Sequence, residues 1–230
     1  MFYTYIPHNF GRQNMSNFVI NSDDKLKQKM ELVESLIDIK NIFKKKNTRS
    51  NSKGKKSTKL EPNPIDDNYD ALKCDIKPLE KKHKDWDMIE TYIKNTSHGR
   101  NLKLKEIFTL EREGEDKIYN PKKLGNEKLL WHGSRFSNFV GILSNGMRIA
   151  PPEAPKTGYN FGKGVYFADL SGKSAPYCCT YLSRGTGLFV LCQVALGTCQ
   201  ELLHPNCDAD NLKPGTNSTH ALGCTRPNPK

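Results

Sequence analysis

The sequence predicts an α+β fold, on three observations. Short runs with strand character are interspersed with stretches whose apolar residues recur at helical spacing. No internal repeat is present. The longest apolar run, residues 188–196, is interrupted by Gln193 and reads as a strand, far short of the ~20 residues of a membrane-spanning helix. At 230 residues the chain suffices for one good core, or for one domain and part of another.

Taken in order, the first helix is capped by Ser22, with Asp23 and Asp24 at its positive end and Leu26, Met30, Val33 and Ile37 on one face. A second stripe of Leu32, Leu36, Ile39 and Phe43 widens that face. Such width calls for partners, so the chain is expected to start partway through a helical bundle.

From Lys44 to Glu61 the pattern dissolves into Lys, Ser, Asn, Thr and Gly. Too little apolar area is available there to offset the entropy of ordering, so a flexible linker is expected. Eight cations (Lys44, Lys45, Lys46, Arg49, Lys53, Lys55, Lys56, Lys59) and no acid lie in residues 44–59. They account for 8 of the net charge of +11 and leave +3 elsewhere. The basic character belongs to one segment, with an import signal or weak, non-specific phosphate contact as its functional alternatives.

Beyond the prolines at 62 and 64, Asp85 is expected to cap a helix carrying Trp86, Ile89, Tyr92 and Ile93. Residues 102–112 read as a strand, then a turn at Gly114, then a short buried strand at 129–131. Ser137 caps a helix presenting Phe139, Ile142 and Leu143, and Gly146 stands where a left-handed C-terminal cap belongs. Residues 165–167 read as a strand, and a helix starts near Ser171, late enough for Pro176 to fall in its first turn. The strand at 187–196 should be central and covered on both faces. After His204 no element is expected to close the sheet.

Seven cysteines, an odd number, fit free thiols in a reducing compartment. Cys192, Cys199, His204 and Cys207 lack the close ligand pairs of zinc sites and read as free thiols and a lone histidine. Cys178–Cys179 with His132 stays open as a nucleophile–base pair, with no third orienting group evident. The N-terminus has no basic stretch followed by an apolar one, so no secretory signal is expected.

The informative chemistry lies in two segments. His132-Gly133-Ser134 ends a strand and sets an imidazole, a bare backbone and a hydroxyl side by side. Gly158-Tyr159-Asn160-Phe161-Gly162-Lys163-Gly164 leads straight into Tyr166. Glycine lets a backbone approach a ligand closely. Alone, the first would be a strand end with a satisfied histidine, and Tyr166 and Tyr177 would be core aromatics. Together they suit a flat heteroaromatic amide and a ribose, hence NAD used as a substrate rather than as a redox carrier. The glycine loop lacks the strand–turn–helix setting of a Rossmann site.

These residues resemble the catalytic segment of the poly(ADP-ribose) polymerases, specifically their DNA-damage-responsive nuclear branch. The likeness is close over LLWHGSRFSNFVGILSNGMRIAPPEAPKTGYNFGKGVYFAD (129–169), KSAPYC (173–178) and VALG (194–197). It is looser over FYTYIPHNFG, ELVESLIDIK and NPIDDNYDALKCDIKPL. The resemblance implies a remnant of a helical regulatory domain over 1–46, a basic linker over 47–62 and a transferase domain of mixed-sheet ADP-ribosyltransferase type over 63–230.

By position it implies that His132 hydrogen-bonds an adenosine-ribose hydroxyl, and that Gly133 and Ser174 hold the carboxamide. Tyr166 and Tyr177 would sandwich the nicotinamide ring. Ser134, Gly141, Arg148 and Tyr159 would line the rest of the cleft, and Lys173 would face the acceptor. NAD is the implied substrate, without metal. Protein acceptors, a nuclear location, no membrane, and DNA contact through modules outside this sequence are also implied.

Asn160 stands where the family usually has methionine, and Pro176 where it usually has asparagine. The family's third signature residue, a glutamate, has no counterpart here, and Glu201 does not match its position. The chain is therefore expected to be weak or inactive as a polymerase. The alternative is a non-catalytic module that binds NAD or ADP-ribose.

Overall fold

A computed structural model describes residues 2–47, 63–155 and 158–227. Residues 48–62, nearly all of the expected linker, and the side chains of the basic tract lie outside the described set. After a short turn, α1 (Phe2–Tyr5), the long helix α2 spans Asp23–Asn47. Ser22 Oγ accepts from the Lys25 N–H at 3.4 Å. The helix runs on past Phe43 because lysine is itself a good helix former.

The face that α2 buries is not the predicted one. Leu26, Leu36 and Ile37 are 41%, 41% and 49% exposed, whereas Ser35 and Asp38 are buried. The helix turns its polar stripe inward, onto α3 (Pro64–Leu72) and α7 (Phe139–Asn145).

The α3 helix opens on Asn63, whose side chain accepts from the Ile65 N–H, with Pro64 at its first position. Next, β1 (Cys74–Pro78) pairs antiparallel with β2 (Phe108–Arg112), Cys74 opposite Arg112. Residues 102–107 of the expected strand lie outside it. Between the two strands lies α4 (Lys84–Thr96), capped by His83 rather than Asp85. The His83 Nδ1 accepts from the Asp85 N–H at 3.2 Å, since the cap residue must stay outside the helical conformation while Asp85 is already within it.

Two single turns, α5 (Glu115–Ile118) and α6 (Pro121–Leu124), lead to β3 (Glu127–Ser134). After α7, Gly146 takes φ +78° and ψ −177°, a positive-φ extended conformation open to glycine rather than the expected left-handed helical cap. The turn α8 (Ser171–Ser174) passes into a tight 3₁₀ turn, Ala175–Cys178, which accommodates Pro176 near its start. The chain then enters β4 (Leu188–Ala195), β5 (Cys199–Leu202) and β6 (Ser218–Ala221).

Among the described residues β3 and β4 form an antiparallel ladder from Glu127↔Ala195 to Ser134↔Leu188. On its other edge β3 bridges Ala168 through Trp131. The element flanked on both sides is therefore β3, and the apolar β4 is half-buried along most of its length. Residues 165–167 form no strand, only this bridge at Ala168.

The C-terminal β6, not expected from sequence, pairs parallel with β5. It lacks apolar alternation and is tied by polar side chains instead. Gln200 Nε2 donates to Thr219 Oγ1 at 2.8 Å and to the Ala209 carbonyl at 2.9 Å. The main core sits beneath the end of β3, where the buried Trp131 ring meets Tyr92 and Phe189 at 5.0 and 5.7 Å between centroids.

Candidate active site

Polar backbone groups alternate edges along a strand. The Trp131 N–H donates to Ala168 O at 2.7 Å, and the Ala168 N–H donates to Trp131 O at 2.9 Å. The N–H and C=O of Gly133, two residues on, therefore point to the Ala168 edge and not toward β4. The His132 side chain turns to the segment preceding that bridge, with its Nδ1 2.8 Å from the Tyr166 carbonyl oxygen. A carbonyl only accepts, so Nδ1 carries the proton and a neutral ring leaves Nε2 as an acceptor.

Gly133 has no room for a side chain. A Cβ there would lie 2.2 Å from the Ser174 carbonyl oxygen and 3.1 Å from Cys178 Sγ. Ser174 thus packs its backbone directly against Gly133. Its buried hydroxyl donates to Trp131 O at 3.1 Å, which leaves its oxygen lone pairs for any further partner.

Cys178 is 2% exposed, its thiol donates to the Leu188 carbonyl at 3.2 Å, and burial pushes it up to about 11. A buried thiol that holds its proton so firmly is no nucleophile at neutral pH, which removes Cys178 from the open pairing with His132.

Tyr166 closes the glycine loop. Its hydroxyl donates to the Gly162 carbonyl at 2.6 Å and accepts from the Phe161 N–H at 3.0 Å. Burial raises the phenol, so it stays protonated and able to donate. The Tyr159 ring lies 6.0 Å from the Tyr166 ring, tilted by 38°. Gly162, at φ +77°, lets the turn near Asp210 approach, since a Cβ would sit 2.3 Å from the Asp210 nitrogen. Tyr166 and Tyr177 are 40% and 59% exposed, and Lys173 is exposed on the same turn as Ser174. No direct ring contact joins Tyr166 to Tyr177 among the described residues.

The remaining expected cleft residues meet α2. Asp38 pairs with Arg148 at 2.6 Å and occupies the space where a Gly141 Cβ would stand. Ser35 Oγ donates to Asn138 Oδ1 at 2.8 Å, and Asn138 Nδ2 donates to Ser134 Oγ at 2.9 Å. Lys27 Nζ lies 3.5 Å from the Tyr159 ring centroid. Ser134, Gly141, Arg148 and Tyr159 thus sit under one polar stripe of α2.

Sequence reasoning missed that stripe, although Lys27, Glu31, Ser35 and Asp38 recur at helical spacing. Clefts of about 530 and 280 Å³ lie elsewhere, beside β1–β2 and beside α4. No cluster of three or more His, Cys, Asp or Glu among the described residues could hold a metal ion. No described helix is long and apolar enough to cross a membrane.

An α+β fold that presents a histidine, a bare glycine and a glycine-looped tyrosine at one strand end is of ADP-ribosyltransferase type. Residues 83–230 match the poly(ADP-ribose) polymerase catalytic domain family, and residues 1–69 match the poly(ADP-ribose) polymerase regulatory domain. The chain belongs to the poly(ADP-ribose) polymerase family.

Over 233 residues it is 45% identical to poly(ADP-ribose) polymerase 2-A of Oryza sativa subsp. japonica and 45% to poly(ADP-ribose) polymerase 2 of Arabidopsis thaliana. Those alignments cover 99% of this chain and 34% and 35% of the relatives. Poly(ADP-ribose) polymerase 2 of Homo sapiens is 43% identical over 230 residues, covering 98% of the chain and 38% of the human protein. The chain spans about a third of the length of these relatives.

Proposed function

We propose that this strand end is an NAD ADP-ribosyltransferase centre. NAD binds across the end of β3, the bond from nicotinamide nitrogen to ribose breaks, neutral nicotinamide leaves, and ADP-ribose passes to a protein acceptor. The observation that carries this reading is the 2.8 Å link from His132 to the Tyr166 backbone, which makes the two motifs one corner.

In this reading the Gly133 backbone and Ser174 hold the carboxamide, and Tyr166 and Tyr177 flank the ring. His132 Nε2 accepts from an adenosine-ribose hydroxyl. Ser134, Gly141, Arg148 and Tyr159 line the adenosine side, and Lys173 faces the acceptor. Charge builds on the ribose as an oxocarbenium-like centre while the cationic ring becomes neutral. Positioning and hydrogen bonds therefore do more than a nucleophile would, and the chemistry needs no metal.

Residues 1–46 serve as regulatory helical structure, 47–62 as a basic linker and 63–230 as the transferase part. The proposed setting, from the family resemblance alone, is work on protein acceptors in the nucleus, in the response to DNA damage. DNA contact comes through other modules, with weak non-specific help from the 44–59 tract. Residues 1–230 by themselves form little polymer, because the family's glutamate has no counterpart among them.

The test is to incubate the chain with isotopically labelled NAD and an acceptor protein, and to measure nicotinamide binding alongside. Nicotinamide binding with weak transfer is expected. Absence of both would refute the reading, and robust chain elongation would refute the weak-activity part. The second reading, a binding module without catalysis, rests on the same missing glutamate and predicts binding with no release of nicotinamide from NAD.

A further inference from the structure

We propose that Thr96, at the C-terminal end of α4, is a positioning residue for the nicotinamide side of the site, acting through Ser171; this rests on the NAD reading above. Thr96 and Ser171 are buried, 1% and 0% exposed, and neither lies in the expected binding set. Thr96 Oγ1 donates to the Tyr92 carbonyl at 2.6 Å and accepts from the Ser171 N–H at 3.2 Å. Ser171 Oγ lies 3.1 Å from Thr96 Oγ1 and donates to the Ile93 carbonyl at 3.2 Å. The two hydroxyls and one N–H thus satisfy one another against two carbonyls of the last turn of α4.

This pair fixes more than itself. Gly172 presses on α4 so closely that a Cβ would stand 2.3 Å from the Ser97 carbonyl oxygen, and Arg100 Nε donates to the Gly172 carbonyl at 3.0 Å. Two residues later the Ser174 carbonyl rides directly on Gly133. The run from α4 through Ser171, Gly172 and Ser174 to Gly133 is continuous and has no slack. A shift of the Ser171 turn moves Ser174 relative to the Gly133 backbone, which is the geometry a bound carboxamide would need. Tyr177 follows in the same segment. Loss of the Thr96 hydroxyl leaves the buried Ser171 N–H without an acceptor, and the turn must move to find one.

The experiment compares the unmodified 230-residue chain with Thr96→Val, Thr96→Ser and Ser171→Ala. Calorimetry measures binding of nicotinamide and, separately, of ADP-ribose, and each variant's thermal midpoint is recorded. Thr96→Val is expected to weaken nicotinamide binding about tenfold relative to ADP-ribose binding, and Thr96→Ser to restore it. Ser171→Ala keeps the Ser171 N–H bond to Thr96 Oγ1 but removes the hydroxyl's ties to Ile93 and Thr96. It should give a weaker loss of the same selectivity, and it stands as the test if Thr96→Val does not fold.

Equal loss of both ligands in step with the thermal midpoint would reduce Thr96 to general stability and overturn the proposal. Unchanged nicotinamide binding in a folded Thr96→Val would also overturn it. If the unmodified chain binds neither ligand, the NAD reading itself fails, a result distinct from either of these.

Discussion

His132 Nδ1 and the backbone carbonyl oxygen of Tyr166, 34 residues apart in sequence, lie 2.8 Å apart in the fold. The bond holds the imidazole in the tautomer with Nε2 bare, and it anchors the exit of the glycine loop to the end of β3. Nitrogen NMR of the native chain at neutral pH should find the His132 proton on Nδ1. Substituting His132→Ala should weaken ADP-ribose binding by about tenfold, the equivalent of one hydrogen bond of ~1.4 kcal/mol, while nicotinamide binding changes less. A proton on Nε2 instead would contradict the assigned geometry.

Gly133→Ala should be the most damaging single methyl in the site. Its Cβ would meet a backbone oxygen at 2.2 Å, and backbone cannot swing aside as a flexible side chain can. The expected loss is roughly 1–3 kcal/mol, read from urea unfolding, with nicotinamide binding abolished because Ser174 must retreat. Native stability together with native binding in this variant would contradict the packing described.

Asp38→Ala should strengthen ADP-ribose binding. Asp38 holds Arg148 at 2.6 Å and fills the space over Gly141, both expected on the adenosine side. The Arg148 left behind is 55% exposed and stays solvated, so although Asp38 is only 11% exposed the loss of the pair should cost only about 1 kcal/mol. Weakening the α2 contact enlarges the fraction of molecules open to ligand, and about a tenfold gain in affinity is expected from calorimetry. Weaker binding would mean that Asp38 supports the cleft rather than covering it.

Alkaline pH should unfold the chain early. Burial lifts the Cys178 thiol from 9.0 to about 11 and the Cys192 thiol from 9.0 to about 12. The unfolded chain then gives up these protons at lower pH than the native one does. Their contribution is complete below pH ~9 and falls as pH rises toward 11–12. Urea midpoints should hold up to about pH 9 and decline from there toward pH ~11, less steeply in Cys192→Ala. A flat profile would show that these thiols are not buried in solution.

Much of the local structure was legible from residue order alone. Ser22 with Asp23 and Asp24 marked the start of α2, Gly146 ended α7, and His132-Gly133-Ser134 at a strand end and the glycine loop into Tyr166 stood out as chemistry. These are short-range signals, set by caps, φ preferences and side-chain type, and a linear reading has access to them. The identity of the His83 cap was missed because histidine is an uncommon acceptor at that position.

What the sequence by itself determined was therefore the α+β class and the parts of the site. Tertiary structure alone decided which faces meet. The apolar stripe of α2 predicted a buried Leu36 and Ile37, yet Ser35 and Asp38 are buried, because their partners Asn138 and Arg148 lie 103 and 110 residues away. Likewise β3 rather than the more apolar β4 is flanked on both edges, through a single bridge to Ala168. Periodicity records where a stripe runs along one element, whereas burial depends on which distant surface complements that stripe in shape and hydrogen bonding.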